Sequence, residues 1–240
     1  ALDDAANRTV RFVDRIRVKG KRQPQSIYEV FEADAPAQRE AKLATRPWFE
    51  EAVAYYHLRE VGLAEPLLRR CLAAAPDDAA AALYLRRCGD YLATGRHAGT
   101  GELDGTLDWR DEFALGHPEV DRQHRTLVDA MNRLTPLLHA GDASGVEETL
   151  AFLGAYVRDH FGTEEALMGQ HGYPFTAEHV REHENFVAFM RRLAAEVAAG
   201  RPRLHLVFRI QVFLLDWFAN HSTGTDRHLL RWLKGQGVAG

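Results

Sequence analysis

Seven residues in the C-terminal half of the sequence could bind metal. They are polar side chains at core-facing helix positions that are usually filled by apolar residues such as leucine. The segment "HFGTEEALMGQHGYPFTAEHVREH" (160–183) contains two pairs spaced by four residues, His160 with Glu164 and His179 with His183. Residues four apart differ by about 40° around a helix axis and therefore share a face. The other candidate ligands are His124, His221 and Asp226.

Metal binding is the chemistry that best satisfies these groups. Burying one unpaired polar group costs roughly 1–3 kcal/mol, and several together would threaten most of a stability of roughly 5–15 kcal/mol. The imidazole nitrogens offer more hydrogen-bond acceptors than the neighbouring side chains have donors. Metal ions, in contrast, can bind all of those lone pairs. Histidine with carboxylate suits iron, zinc, copper or manganese rather than calcium or magnesium. The ligands exceed one coordination shell, which predicts two ions bridged by the two carboxylates.

Four amphipathic segments must position these ligands. Short glycine-containing connections separate four helix-spaced apolar seams, which predicts an all-α fold, an antiparallel four-helix bundle. The first helix begins near Pro118, and the segment "HSTGTD" (221–226) is predicted to be a loop where the fourth helix ends. The core-facing seam of the second helix is predicted to contain Leu150, Leu153, Val157, His160 and Glu164.

The other polar residues of note receive structural interpretations. Gln211 lies in the seam of the fourth helix, where we expect a hydrogen bond and not metal ligation. Seven further histidines lie at loops, helix ends or off-seam positions, and we expect them to be solvated or to cap helices. They are His57, His97, His117, His139, His171, His205 and His228.

Composition and charge argue against several other classes. Hydrophobic residues at 46% and charged residues at 27% describe a soluble globular protein. The formal net charge of -4 gives no electrostatic case for binding nucleic acid or an anionic membrane. The most apolar stretch, "LHLVFRIQVFLLDWFANH", carries charged side chains and predicts no membrane insertion. Cys71 and Cys88 match no zinc or redox motif, so we expect a reduced, cytoplasmic chain, and the start at Ala1 without a methionine predicts a fragment of a longer protein.

Residues 1–34 contain a predicted β-hairpin. Apolar and polar residues alternate over 9–31, and a turn containing glycine and proline divides them into two runs. The motif "DRIRVKGKRQPQSIYEV" (14–30) resembles the closing strands of class III nucleotide cyclase domains. The metal-binding aspartates of that family would lie upstream. The resemblance therefore implies a cyclase domain upstream in the parent protein and no catalytic residue in this chain.

Residues 35–95 form a predicted helical connector. The stretch "RPWFEEAVAYYHLREVGLAEPLLRRCLAAAPDD" (46–78) resembles one tetratricopeptide repeat, and a further helix with an Asp cap should end at Gly95. A spacer, a peptide-binding groove, and dimerisation or domain coupling are the open roles. Residues 96–106 are predicted to be a linker, and 107–236 to be the bundle. The positions that match the repeat pattern are Trp48, Ala52, Tyr55, Ala64, Leu68 and Pro76.

Four motifs of the bundle together resemble the hemerythrin family over residues 107 to about 235. They are "VDRQH" ending at His124, "HFGTE", "HVREH" and "HSTGTD". The resemblance implies two non-haem irons in an oxo- or hydroxo-bridged centre, one of which keeps an open position for dioxygen. The ligands implied are His179, His183 and His221 for one iron, His124 and His160 for the open one, and Glu164 and Asp226 as bridges.

The same resemblance implies an apolar ligand pocket over the open iron. Its walls would be Leu127, Phe161, Trp217 and Phe218, which could equally be ordinary core residues. The family usually carries a bulky aliphatic residue directly after the fifth histidine, whereas this chain has Ser222. A small hydroxyl there would admit water and protons, so we expect faster autoxidation than in an oxygen carrier.

The leading functional hypothesis is an oxygen or redox sensor module that signals to the upstream cyclase. Dioxygen is the expected ligand, with nitric oxide and peroxide as alternatives. The competing functions are an oxygen carrier or storage protein, a di-iron peroxidase or oxidase, an iron storage or delivery protein, and a metal-free structural bundle. The oligomeric state stays open, with a homodimer among the options.

Overall fold

The chain folds into two compact units, Ala1–Asp104 and Gly105–Gly240. The predicted turn of the hairpin and residues 99–106 of the predicted linker lie outside the described residues. A computed structural model describes residues 9–16, 25–98, 107, 109–139, 145–200 and 203–238.

Unit 1 is a small β-hairpin followed by three helices. The strands pair antiparallel with a register irregularity between Phe12 and Asp14. As predicted, Asp78 caps the third helix by accepting from the Ala81 amide at 3.1 Å, and Gly95 ends it in the left-handed conformation (φ 67°). The elements are β1 (Val10–Ile16), β2 (Gln25–Val30), α1 (Pro36–His57), α2 (Val61–Ala74) and α3 (Ala79–Thr94).

A buried arginine ties the hairpin to the helices. The Arg11 guanidinium donates to both carboxylate oxygens of Asp78 at 2.6 Å and to Glu29 at 2.6 Å. Its carbon lies 4.0 Å from the centroid of the Phe49 ring. Bidentate arginine–carboxylate pairs are strong and directional, and removing one partner of a buried pair strands a charge. The pair therefore joins residues on either side of the predicted boundary at 34–35 within one compact unit.

His57 is buried, and the expectation of a solvated or capping role for it was wrong. Its Nε2 lies 3.3 Å from Asp14 Oδ1 and 3.4 Å from the Tyr84 hydroxyl. Arg87 donates to Asp14 at 2.8 Å, and Tyr84 donates to the carbonyl oxygen of Val13 at 2.7 Å. The acceptors of Asp14 and Val13 lie at the register irregularity of β1, and their approach to His57 depends on contacts between distant residues. The position of His57 at a helix end therefore did not indicate its burial.

Unit 2 is the predicted four-helix bundle, which confirms the all-α fold class. The first helix begins at Pro118, and Gly172 (φ 68°) ends the second in a conformation that favours glycine. No helix among the described residues has the length and apolar character needed to cross a bilayer. The elements are a 3₁₀ turn (Asp111–Phe113), α4 (Pro118–His139), α5 (Val146–His171), α6 (Thr176–Ala198), α7 (Arg203–Trp217), a π-helical segment (Phe218–Asp226) and α8 (Arg227–Gly235).

The segment "HSTGTD" is π-helical, so the prediction of a loop was wrong. It continues α7 without a break, and α8 follows it directly. Backbone bonds of a π-helix run from i to i+5, so His221 and Asp226 share a face. On an α-helix, residues five apart would point about 140° away from each other. Ser, Thr and Gly favour loops locally, and the requirement to bring His221 and Asp226 together is visible only in the folded chain.

The buried face of α5 differs from the predicted seam. Leu153, His160 and Glu164 are buried as expected, but Leu150 and Val157 are only half-buried. Tyr156 takes the core position one turn before His160. The helix therefore presents a phenol to the core where the sequence analysis expected an aliphatic side chain.

Asp14 makes the stability of unit 1 depend on pH. Burial alone raises the pKa of Asp14, but hydrogen bonds from His57 and Arg87 lower it to about 2. Against an ordinary value of about 3.9, this corresponds to about 2–3 kcal/mol of stabilisation. Asp14→Asn should remove that amount at pH 7. The difference from wild type should shrink as the pH falls through 4 towards 2, because the wild-type carboxyl becomes protonated there.

Hydrogen exchange of the β1 amides in the full chain, measured by mass spectrometry at several pH values, tests this. Asp90→Asn, an exposed change on α3, should leave β1 protection unchanged. A difference between wild type and Asp14→Asn that does not vary with pH would contradict the prediction.

Candidate metal centre

The bundle brings the seven predicted ligands into one buried cluster. Spacings of four residues stack His160 with Glu164 on α5 and His179 with His183 on α6. All seven side chains are 0–2% exposed. The ligands come from α4 (His124), α5 (His160, Glu164), α6 (His179, His183) and the π-helical segment (His221, Asp226).

The cluster divides into two groups, each able to hold one cation. Within each group, one ligand atom from every residue lies within 4.8 Å of the others. Glu164 belongs to both groups, which is the position a bridging carboxylate takes. The groups are Glu164 with His179, His183 and His221, and Glu164 with His124, His160 and Asp226.

Asp226 faces both sides of the cluster with different oxygens. Its Oδ1 lies 2.9 Å from His221 Nε2 and 3.2 Å from His179 Nε2. Its Oδ2 lies 3.1 Å from His124 Nε2 and 3.8 Å from His160 Nε2. One carboxylate oxygen on each side is the arrangement that a bridge between two cations requires.

Mutual hydrogen bonds do not satisfy the cluster. Within the part of the chain that the structure describes, His160 Nε2 and Glu164 Oε1 are buried without a hydrogen-bond partner. Burying polar atoms unpaired is costly, and cations would satisfy both of these atoms, so the donor set fits a metal site.

Charges within the cluster shift the pKa values of both carboxylates and of His179. Burial disfavours ionised Glu164, but the adjacent histidines outweigh burial and hold its pKa well below its ordinary value. The pKa of Asp226 is likewise lowered, chiefly by His221 against the effect of burial. Burial lowers the pKa of His179, yet Asp226 and Glu164 raise it to about 9. Both carboxylates therefore stay ionised in the core, which suits them to hold cations.

Three outer side chains fix the tautomers of ligand histidines, and the sequence analysis missed all three. His160 Nδ1 donates to Gln123 Oε1 at 3.0 Å. His183 Nδ1 donates to Glu165 at 3.0 Å, and His221 Nδ1 donates to Glu182 at 2.6 Å. Each bond leaves Nε2 directed towards the cluster, as is usual for metal-binding histidines. The available signal was adjacency, because Gln123, Glu165 and Glu182 each stand one residue from a ligand.

The predicted pocket residues are divided between the two sides of the cluster. On the three-histidine side, Phe161 stacks on His183 with ring centroids 3.7 Å apart, and Trp217 stacks on His221 at 3.9 Å. On the two-histidine side, Phe218 meets His124 edge-on at 5.8 Å. The remaining two predicted pocket residues, Leu127 and Ser222, are buried. The Ser222 hydroxyl has no hydrogen-bond partner among the described residues.

Tyr156 is a further residue of the site that the sequence analysis did not identify. Its ring lies 4.9 Å from the His160 ring, and its hydroxyl is buried. Burial raises the pKa of Tyr156 well above its ordinary value, and Asp226 and Glu164 add to this effect. Helical periodicity was the available signal, because Tyr156 precedes His160 by four residues.

Two other polar residues have the structural roles that we expected. Gln211 donates to Thr135 at 3.3 Å, and His117 accepts from the Val120 amide at 3.3 Å in the first turn of α4. His228 differs from the expectation of a solvated or capping role, because it pairs with the Tyr173 hydroxyl at 2.6 Å. These residues therefore lie outside the two candidate cation groups.

The fold and the two residue groups define the C-terminal half as a four-helix bundle with a candidate two-cation site. The family described as hemerythrin HHE cation binding domain matches residues 115–233. A bacteriohemerythrin of Stenotrophomonas maltophilia is 31% identical over 121 residues, which cover 50% of this chain and 77% of that protein. A bacteriohemerythrin of Methylococcus capsulatus is 31% identical over a stretch that covers 48% of this chain and 87% of that protein. A myohemerythrin of Theromyzon tessulatum is 25% identical over a stretch that covers 52% of this chain and 92% of that protein.

The chain belongs to the hemerythrin family through its C-terminal half. Family membership implies non-haem iron, and the histidine and carboxylate groups of the bundle fit that metal.

Replacing one ligand should lower the bound metal. His160→Gln should hold less metal per chain than wild type, because it removes one of the two imidazoles in its group. Metal analysis of the purified full chain measures this. His171→Gln, on the last turn of the same helix and outside both groups, is the matched control. Equal metal content in the two variants would show that the ligand assignment is wrong.

Proposed function

We propose that residues 107–236 form a di-iron domain that binds dioxygen. The observation that carries the proposal is the shared use of Glu164 by two buried groups of metal ligands. His179, His183 and His221 would hold one iron, and His124 and His160 the other, with Glu164 and Asp226 bridging. The names of the relatives, bacteriohemerythrin and myohemerythrin, agree with this function.

The donor set supports reversible binding over oxygenase chemistry. Carboxylate-rich sites donate more negative charge and favour high-valent iron, whereas this cluster has five imidazoles and two carboxylates. When bound, the irons would supply the electrons that dioxygen binding requires. Fewer protein ligands on the two-histidine side would leave room there for the small molecule.

The surrounding residues would hold the ligands in place and keep water out. Phe161 and Trp217 stack on His183 and His221, so these rings cannot rotate freely. Glu165 and Glu182 bind the Nδ1 atoms of the same two histidines and fix their tautomers. Ser222 is the exception, because it is a small polar side chain in an otherwise apolar wall.

We further propose that the domain is an oxygen or redox sensor in a longer signalling protein. The support is the covalent attachment of unit 1, in which residues 1–34 resemble closing strands of a cyclase domain and 35–95 resemble a tetratricopeptide connector. The buried Arg11–Asp78 pair would let the hairpin and α3 move as one body. A free-standing carrier would not need these segments.

Admitting air to the reduced, iron-loaded chain tests oxygen binding. We expect two irons per chain and a new visible absorption band that is lost when oxygen is removed. Ser222→Ile should slow the conversion of the reduced protein to its oxidised state in air several-fold, because the larger apolar side chain excludes water and protons.

Thr223→Val, which removes the neighbouring hydroxyl, is the control for this effect and should behave as wild type. One zinc per chain, or no oxygen-dependent band, would contradict the di-iron proposal. Rapid turnover of added peroxide would favour a peroxidase. Oxidation of Ser222→Ile at the wild-type rate would show that Ser222 does not control solvent access.

Hydrogen exchange in the reduced and the air-exposed full chain tests the sensor role. We expect altered protection in Phe218–Asp226, which carries two ligands, and also in the helices of unit 1. Zinc-loaded protein, which cannot change oxidation state, is the control. If unit 1 exchanges identically in both states, no signal reaches it, and a carrier function would be favoured.

A further inference from the structure

Tyr156 buries a hydroxyl group that binds nothing in the described part of the chain. The residue is 5% exposed, and its hydroxyl has no hydrogen-bond partner there. The other buried tyrosines all use their hydroxyls. Tyr56 donates to Ala98 and Tyr84 to Val13, both at 2.7 Å, and Tyr173 bonds to His228 at 2.6 Å. Tyr156 and Tyr173 both have rings beside a candidate metal ligand, His160 at 4.9 Å and His179 at 6.4 Å, but only the Tyr173 hydroxyl has a partner among the described residues.

A purely structural role does not explain this hydroxyl. Phenylalanine would fill the same space between Phe152 and His160 without burying an unpaired polar atom. Buried tyrosine hydroxyls usually have a hydrogen-bond partner. Among the described residues no acceptor is supplied, which points to a ligand bound beside the Tyr156 hydroxyl.

The helix places this phenol on the two-histidine side of the centre. Tyr156, His160 and Glu164 follow one another at intervals of four residues on the buried face of α5. The Tyr156 and His160 rings are 4.9 Å apart and inclined by 30°. His160 belongs to the group with two imidazoles, whereas the opposite group has three. With Glu164 and Asp226 bridging as proposed above, this side would have fewer protein ligands.

Resting on the di-iron function proposed above, we infer that the Tyr156 hydroxyl donates a hydrogen bond to small anions bound at the two-histidine side. A neutral phenol has one hydrogen to donate. A hydrogen bond to a charged acceptor is stronger than one to a neutral acceptor. Tyr156 would therefore favour ligands that carry negative charge on the atom facing His160, and it would be a residue that determines ligand specificity.

Azide binding to the oxidised, iron-loaded full chain tests the inference. Tyr156→Phe should weaken azide binding roughly ten- to hundred-fold, the loss expected for one charged hydrogen bond. The infrared stretching band of bound azide should also shift when heavy water replaces water in wild type, and this shift should diminish in Tyr156→Phe. Tyr173→Phe is the matched control, because Tyr173 is equally buried and its hydroxyl binds His228. It should retain wild-type azide affinity.

The outcomes separate this inference from the function on which it rests. If wild type holds no iron pair, the proposed function is wrong and the inference falls with it. If wild type and Tyr156→Phe both hold two irons and bind azide equally, the inference alone is wrong. Loss of iron from Tyr156→Phe would also overturn it, because a hydroxyl that meets only the external ligand is not needed to retain metal.

Discussion

The burial of two carboxylates at the centre of the bundle is the constraint on which the rest of the structure depends. Neither the Glu164 nor the Asp226 side chain reaches solvent. An ionised carboxylate in an apolar core is tolerable only when opposite charge or metal surrounds it. Histidines from α4, α5, α6 and the π-helical segment meet that requirement together. The contacts that stabilise the charge therefore also fix how the helices pack against one another.

The π-helical segment follows from the same constraint. His221 and Asp226 belong to one continuous helical segment, and their side chains must reach both sides of the cluster. A regular α-helix would turn residues five apart away from each other, whereas the wider π-helix aligns them. The π-helix is rarer and less favourable than the α-helix, so its presence here reflects the ligand geometry. The apolar face of α8 then packs Leu229 and Leu233 with Val120, which closes that end of the bundle.

Sequence spacing predicted the regular parts of the fold and the inward direction of the candidate ligands. Pairs such as His160 with Glu164 were recognisable because α-helical periodicity makes their shared face a local property. The burial of His57 and the helical conformation of "HSTGTD" were not recognisable, since both depend on contacts between distant residues. Tyr156 shows the limit most clearly. Its neighbour Val157 fitted the apolar pattern better, and the packing of α5 selected the phenol instead.

The outer contacts make the two sides of the centre chemically different. On the three-histidine side, carboxylates of Glu165 and Glu182 accept from ligand imidazoles, which makes those imidazoles stronger electron donors. On the other side, His160 Nδ1 donates to the neutral amide of Gln123. An iron on the first side would be held by more and better donors, and an iron on the second would exchange ligands more readily. The rings of the neutral Tyr156 and Phe218 lie against the imidazoles of that second side, so an anionic ligand there would meet uncharged side chains and a hydrogen-bond donor.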